Sequence, residues 1–218
     1  MIISLSGAKG SGKDLVGAIM LLLLDPPDED IKQVTRDLLE YGHAVFKPSE
    51  PSWHIKKWAT KLKEEMQELH PDHFNMDEWE ANKGAYRECF VPALGMSRRE
   101  ALIRLGDKRR AEDDEYFIKP LASEYLKSKI PSNWIVTDSR FMNELHAVKV
   151  LGGLTIKVVR EKEEIEGRLS IRKEWVATHA SETEFEEFSH DYTIINDGTV
   201  DDLTASIKEI LAKEGLLK

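Results

Sequence analysis

Residues Gly7-Ala8-Lys9-Gly10-Ser11-Gly12-Lys13-Asp14 bring three glycines, two lysines and a carboxylate into eight positions. Glycines let successive backbone N–H groups converge on one point with no Cβ in the way, and a helix starting there adds its partial positive charge. An anion belongs at such a point. The spacing from Gly7 to Gly12-Lys13 is that of a phosphate-binding loop of the Walker A type. Gly7, Gly10, Ser11 and Gly12 are expected to cradle the phosphates of ATP, with Lys13 reaching the β- and γ-phosphates. Most such loops follow the lysine with a Ser or Thr hydroxyl for Mg²⁺, whereas this chain has Asp14. A carboxylate suits a hard cation and repels a phosphate, so Asp14 is expected to act on the metal, directly or through its water shell.

The elements around the loop have the order it requires. The run 1–6 reads as a buried strand, and 15–21 continues as a buried helix until Asp25-Pro26-Pro27-Asp28 breaks it. A second strand over 133–138 ends in Asp138, a carboxylate at the edge where open α/β sheets place their sites; with Asp14 it is expected to organise Mg²⁺. A helix over 141–151 closed by Gly152-Gly153, strands over 154–160 and 191–195, and a closing helix over 200–211 complete the pattern. This alternation predicts an α/β fold: a P-loop-type three-layer sandwich with a mainly parallel sheet, plus helical insertions.

Between these parts, the spacing predicts a helix over 31–41 and a short strand over 43–47. Trp53, Ile55, Trp58, Ala59, Leu62, Met66 and Leu69 recur as one apolar helical face, with Lys56, Lys57, Lys61 and Lys63 on the polar side. The stretch 74–95 reads as a long irregular connection. Ser97-Arg98-Arg99-Glu100 is a capping box for a helix expected to stop at Gly106. A further helix from Asp113 or Asp114 should bury Phe117, Ile118, Leu121, Ala122, Tyr125 and Leu126, with Pro120 kinking it or delaying its start. The charged segment after Arg160 has two readings: a solvated helix pair, or a lid over 161–178 whose Arg160, Arg168 and Arg172 swing onto the phosphates.

The 218 residues suit one sizeable domain, and a net charge of −9 argues against a nonspecific binder of nucleic-acid polymers. Cys89 is alone, so no intramolecular disulfide forms; it is expected to be buried or incidental, and the chain cytoplasmic. The longest apolar run, 15–24, is about half of what a membrane span needs, and no basic leader precedes the first strand. His70 and His73 flank Pro71-Asp72 without further ligand spacing and are not read as a metal site. The apolar face at Trp53 and Trp58 is either core or the contact of a homodimer.

Four patches in order resemble the deoxynucleoside monophosphate kinases of bacteriophages and some bacteria. They are the loop ending in Asp14; Asp138-Ser139-Arg140-Phe141-Met142-Asn143-Glu144; His179-Ala180-Ser181-Glu182; and Asp191-Tyr192 with Asn196-Asp197-Gly198-Thr199. The resemblance implies transfer of the γ-phosphoryl group of ATP, with Mg²⁺, to a deoxynucleoside 5′-monophosphate. It also implies an acceptor-binding helical region over 43–130. Arg140 would clamp the acceptor or the transferring phosphate, and Asn143, Glu144, His179, Ser181 and Glu182 would shape the acceptor site. Lys63, Arg99, Arg104 and Arg110 would add phosphate contacts, although Leu105-Gly106-Asp107-Lys108 departs from the family's Leu-Gly-Thr-Glu and leaves open which of Arg104, Arg109 and Arg110 does so. Asn196 and Gly198 would hold the donor's adenine through backbone contacts, or form a plain turn. Animal phosphomevalonate kinases share a similar loop, and an ATP-binding switch is the alternative from another class.

Overall fold

The computed structural model describes residues 1–26, 52–82, 84–128, 133–160 and 179–217. The helix expected over 31–41, the strand over 43–47 and the segment 161–178, with Arg168 and Arg172, lie outside them. The chain divides into two compact units, Met1–Lys57 with Ser128–Lys218, and Trp58–Lys127.

The first unit is built on a parallel sheet in the order β2-β5-β1-β6-β7, with β1 (Ile2–Ser6), β2 (Trp53–Lys56), β5 (Asn133–Ser139), β6 (Leu154–Val159) and β7 (Tyr192–Ile195). Strand β1 is central because every one of its residues is buried, which suits a strand paired on both edges and covered on both faces. On one face Ile3, Leu5, Ile135, Ile156, Val158 and Ile194 pack against helices Lys13–Leu24 and Val200–Lys213. On the other, helix Met142–Val150 packs on β1 and β6 and buries Leu145 and Val148 completely. The result is the three-layer α/β sandwich expected from the alternation of strands and helices. Neighbouring β1 are β5 and β6, so the chain changes sides at the carboxyl end of β1, where open α/β sheets place their ligands.

Gly17 shows how tightly the first helix sits on the sheet. A Cβ there would lie 2.5 Å from Thr137 Cγ2. Helix propensity alone favours Gly→Ala by about 0.5–1 kcal/mol, whereas forcing a methyl into a packed contact costs about 1–3 kcal/mol. Packing wins, so Gly17→Ala is expected to destabilise the protein by about 1–2 kcal/mol in urea unfolding. A midpoint raised by the substitution would contradict this packing account.

The second unit contains helices Thr60–Leu69, Met76–Ala81, Ala85–Glu88, Arg98–Glu112 and Ile118–Lys127, with a two-residue antiparallel pair, β3 (Phe90–Val91) and β4 (Met96–Ser97). Its core is Leu62, Met66, Phe74, Trp79, Leu102 and Phe117. Several expectations are corrected here. Trp53 and Ile55 belong to an edge strand paired with β5 and not to a helix; a run of four residues fits either period. Trp53 and Trp58 are both buried within the chain, whereas Ile55 and Leu69 of the same expected face are exposed. The stretch 74–95 holds two short helices and part of the hairpin.

The capping box at Ser97 and Glu100 is present, but its helix runs through Gly106 to Glu112. Gly106 is a packing residue, because a Cβ there would meet Leu62 Cδ2 at 3.2 Å. Pro120 delays the next helix, sitting at its third residue, where its missing N–H costs nothing. Of the apolar stripe expected there, Phe117 is buried just before the helix, Ile118, Leu121, Ala122 and Tyr125 are half-buried, and Leu126 is 71 % exposed. Cys89 is exposed. Among the described residues no helix is long and apolar enough to cross a membrane.

Candidate functional site

The loop leaves β1 through Gly7, whose backbone passes so close to β6 that a Cβ would lie 2.2 Å from the Val158 carbonyl oxygen. It enters the first helix at Gly12, which adopts φ 95°. Between them, the Ser11 amide donates to the Ala8 carbonyl at 3.2 Å, and the Val16 amide donates to the Gly12 carbonyl at 2.9 Å. The Ser11 side chain is buried, yet its Oγ has no hydrogen-bond partner among the described residues. Leaving a buried hydroxyl unsatisfied costs about 1–3 kcal/mol. A phosphate oxygen would satisfy it.

Lys13, buried at the helix start, folds back over the loop and donates from Nζ to the carbonyls of Gly7 at 2.6 Å and Ala8 at 2.8 Å. An ammonium held there is poised beside any anion the loop binds, and it can exchange a carbonyl for a phosphate oxygen without leaving the site. The fit to a polyphosphate therefore rests on a glycine cradle, an orphaned hydroxyl and a retained cation.

Asp14 points to β5. Its Oδ1 accepts a long hydrogen bond from Thr137 Oγ1 at 3.4 Å, and Lys57 Nζ, just past β2, lies 3.8 Å from the same oxygen. Thr137 was not among the residues singled out, and Lys57 only as one of a lysine face. Their position follows from an irregularity in the sheet: Val136 pairs with Ser4 and Ser139 with Ser6, so Thr137 and Asp138 together stand opposite Leu5. Such a bulge re-aims side chains at a strand end. It also brings Ser139 Oγ within 2.7 Å of Ser4 Oγ, on the sheet face away from Thr137. Asp138 itself is half-buried.

Among the described residues no three His, Cys, Asp or Glu side chains cluster as a protein-only metal cage. Two carboxylates at one edge nonetheless suit Mg²⁺, which keeps most of its waters and shares one or two carboxylates with a nucleotide's phosphates.

Arg140 follows β5 directly, and its Nη1 donates to the Ser181 carbonyl at 2.9 Å. Two of the sequence patches are thereby joined. Around it the start of helix Met142–Val150 is held by acids: Glu144 Oε2 accepts from the amides of Arg140 at 2.8 Å and Phe141 at 3.2 Å, and Glu184 Oε1 accepts from the Met142 amide at 2.9 Å. A carboxylate only 3 % exposed and engaged with two amides clamps the backbone of Arg140 and Phe141. Asn143 lies half-buried in the first turn of the same helix.

His179 caps the short helix Ala180–Thr183, with Nδ1 accepting from the Ser181 amide at 3.1 Å and lying 2.9 Å from Ser181 Oγ. The Glu182 side chain lies outside the described residues. Arg160 is exposed just after β6.

Asn196 gains a side-chain contact beside the backbone role expected of it. It follows β7 as expected, but its side chain turns inward, is 7 % exposed, and donates from Nδ2 to the Ser11 carbonyl at 2.9 Å. Its own amide donates to the Val159 carbonyl at 2.8 Å. Gly198 lies against Asp202, which with Thr199 forms the capping box of helix Val200–Lys213. At the root of the loop, Ser6 Oγ lies 2.6 Å from His190 Nε2. Burial lowers the His190 pKa, and Lys157 acts in the same direction, against the Phe188 backbone and Asp191; the ring therefore favours its neutral form.

In the second unit, the cations assigned to phosphate are mostly paired. Lys63 donates to Glu80 at 2.5 Å and Arg99 to Glu88 at 2.6 Å. Arg109 bridges Glu65 and Glu112, Tyr116 also donates to Glu65, and the Arg109 guanidinium foremost holds the Glu65 carboxyl below its usual range. Arg110 stacks over the Phe117 ring at 4.7 Å. Arg104 is exposed and makes no ion pair among the described residues.

The chain is similar to the solved structure of TT1252 from Thermus thermophilus, at 18 % identity over 98 % of this chain and 97 % of that one, with a TM-score of 0.45. It is also similar to shikimate kinase from Aquifex aeolicus, at 15 % identity over 99 % of each chain, with the same TM-score of 0.45. No family model and no curated protein sequence matches the chain.

Proposed function

We propose that this protein is an ATP-dependent phosphotransferase whose acceptor is a deoxynucleoside 5′-monophosphate, yielding the diphosphate and ADP. The observation that carries the phosphate site is the loop itself: a buried Ser11 hydroxyl without a partner among the described residues, beside a Lys13 ammonium resting on loop carbonyls. Transfer, as opposed to binding alone, is supported by Arg140, which Glu144 and Ser181 hold at the same sheet edge. The choice of acceptor rests on the resemblance carried by Asp138, Arg140, Asn143 and Glu144.

Phosphoryl transfer asks a protein mainly for positioning and charge neutralisation. Loop amides and Lys13 would hold the donor's β- and γ-phosphates, while Arg140 would draw the acceptor phosphate into line and offset charge on the transferring group. That acceptor oxygen is already ionised at neutral pH, so no general base is required. Asp14 and Asp138 would hold the hydrated Mg²⁺, which neutralises phosphate charge when bound; Thr137 and Lys57 would orient Asp14.

The test is a panel of deoxynucleoside and ribonucleoside monophosphates incubated with ATP and Mg²⁺. ADP is expected to form faster than background with at least one deoxynucleotide. Silence across the panel, with ADP formed from phosphomevalonate, would hand the assignment to that acceptor.

A further inference from the structure

We infer that Asn196 is a positioning residue for the phosphate loop, acting through its side chain and not through the base of the nucleotide. The inference rests on the proposed phosphate site and deepens it. Asn196 lies 185 positions from Ser11 in sequence, yet its buried Nδ2 donates to the Ser11 carbonyl at 2.9 Å. Its backbone is fixed in turn, because its amide donates to the Val159 carbonyl at 2.8 Å, one residue beyond the point where Gly7 touches Val158. The carbonyl and the N–H of one trans peptide unit point in opposite directions. Drawing the Ser11 carbonyl onto Asn196 therefore turns the Gly12 N–H away from Asn196 and leaves it available to a bound anion.

The same contact explains the last glycine of the motif. A Cβ at Gly12 would stand 2.2 Å from Asn196 Nδ2. Glycine is required there by the positive φ and also by the amide that holds the loop. The strand-end asparagine and the glycine beside the lysine are thus two halves of one device.

The experiment measures displacement of a fluorescent ATP analogue by tripolyphosphate and, separately, by adenosine, for the wild type, Asn196→Ala and the isosteric Asn196→Asp. Removing the oriented donor should weaken tripolyphosphate about 10- to 100-fold in Asn196→Ala. Asn196→Asp should lose more at pH 8, because a carboxylate repels both the Ser11 carbonyl and the phosphates. Adenosine competition should be unchanged in both. Asn196→Asp keeps the shape of the residue and decides the matter should the alanine variant fail to fold. Wild-type tripolyphosphate affinity in either variant, or an equal loss for adenosine and tripolyphosphate, would overturn the inference while leaving the phosphate site intact. A wild type that binds neither the analogue nor tripolyphosphate would overturn the phosphate site and this inference with it.

Discussion

Lys13→Ala is expected to lower kcat/KM for phosphoryl transfer by about 10²–10³-fold, the usual cost of removing one preorganised donor from developing negative charge. Loss of the ammonium affects both the affinity for the triphosphate and the rate of its transfer, so KM for ATP should rise and kcat fall together. Folding should survive. The Nζ hydrogen bonds to the carbonyls of Gly7 and Ala8 are worth about 1–3 kcal/mol to stability. Steady-state kinetics beside a thermal melt separates the two effects. A variant that melts like the wild type and turns over at a similar rate would remove Lys13 from the machinery.

Arg140→Ala should be the more damaging of the two for kcat, by about 10³–10⁵-fold, the range for arginines that stabilise a transferring phosphoryl group. One guanidinium nitrogen is committed to the Ser181 carbonyl, which fixes the plane of the group. Planarity is what a bidentate grip on phosphate needs, so Arg140→Lys should recover little of the loss although it restores the charge. A lysine variant close to wild-type rate would mean that charge alone suffices. Binding of ATP in the absence of an acceptor should be nearly unaffected by either substitution; a matching loss there would move Arg140 to the donor side.

The parts of this site that were legible in the sequence are those written in local chemistry. A glycine-rich loop behind an apolar strand, and a carboxylate closing a second one, declare themselves because buried parallel strands are continuous apolar runs with sharp ends. Trp53 to Lys56 was harder. Four residues at a sheet edge satisfy a helical and a strand period equally well, and only pairing with Asn133 to Val136 decides between them. Gly106 misled for a related reason, since a glycine chosen for close packing on Leu62 looks like one chosen to end a helix.

The partners that complete the site were not legible. Asn196 reaches Ser11 only because β7 and the loop meet at one end of the sheet, and Thr137 reaches Asp14 beside a bulge that no local pattern announces. Glu144 stood in a patch read as acceptor-binding, while its geometry is that of a clamp on the backbone of Arg140 and Phe141. A motif marks where chemistry sits. It does not separate the side chain that touches a ligand from the one that holds its neighbour in place.

The central claim is that the γ-phosphoryl group moves from ATP to a deoxynucleoside monophosphate. Following the label from ATP carrying ³²P at the γ-position, with Mg²⁺ and the best acceptor of the panel, tests it directly. The label is expected in the deoxynucleoside diphosphate, at a rate lost in Lys13→Ala and Arg140→Ala. Label released only as inorganic phosphate, or retained in ATP that stays bound without turnover, would contradict it.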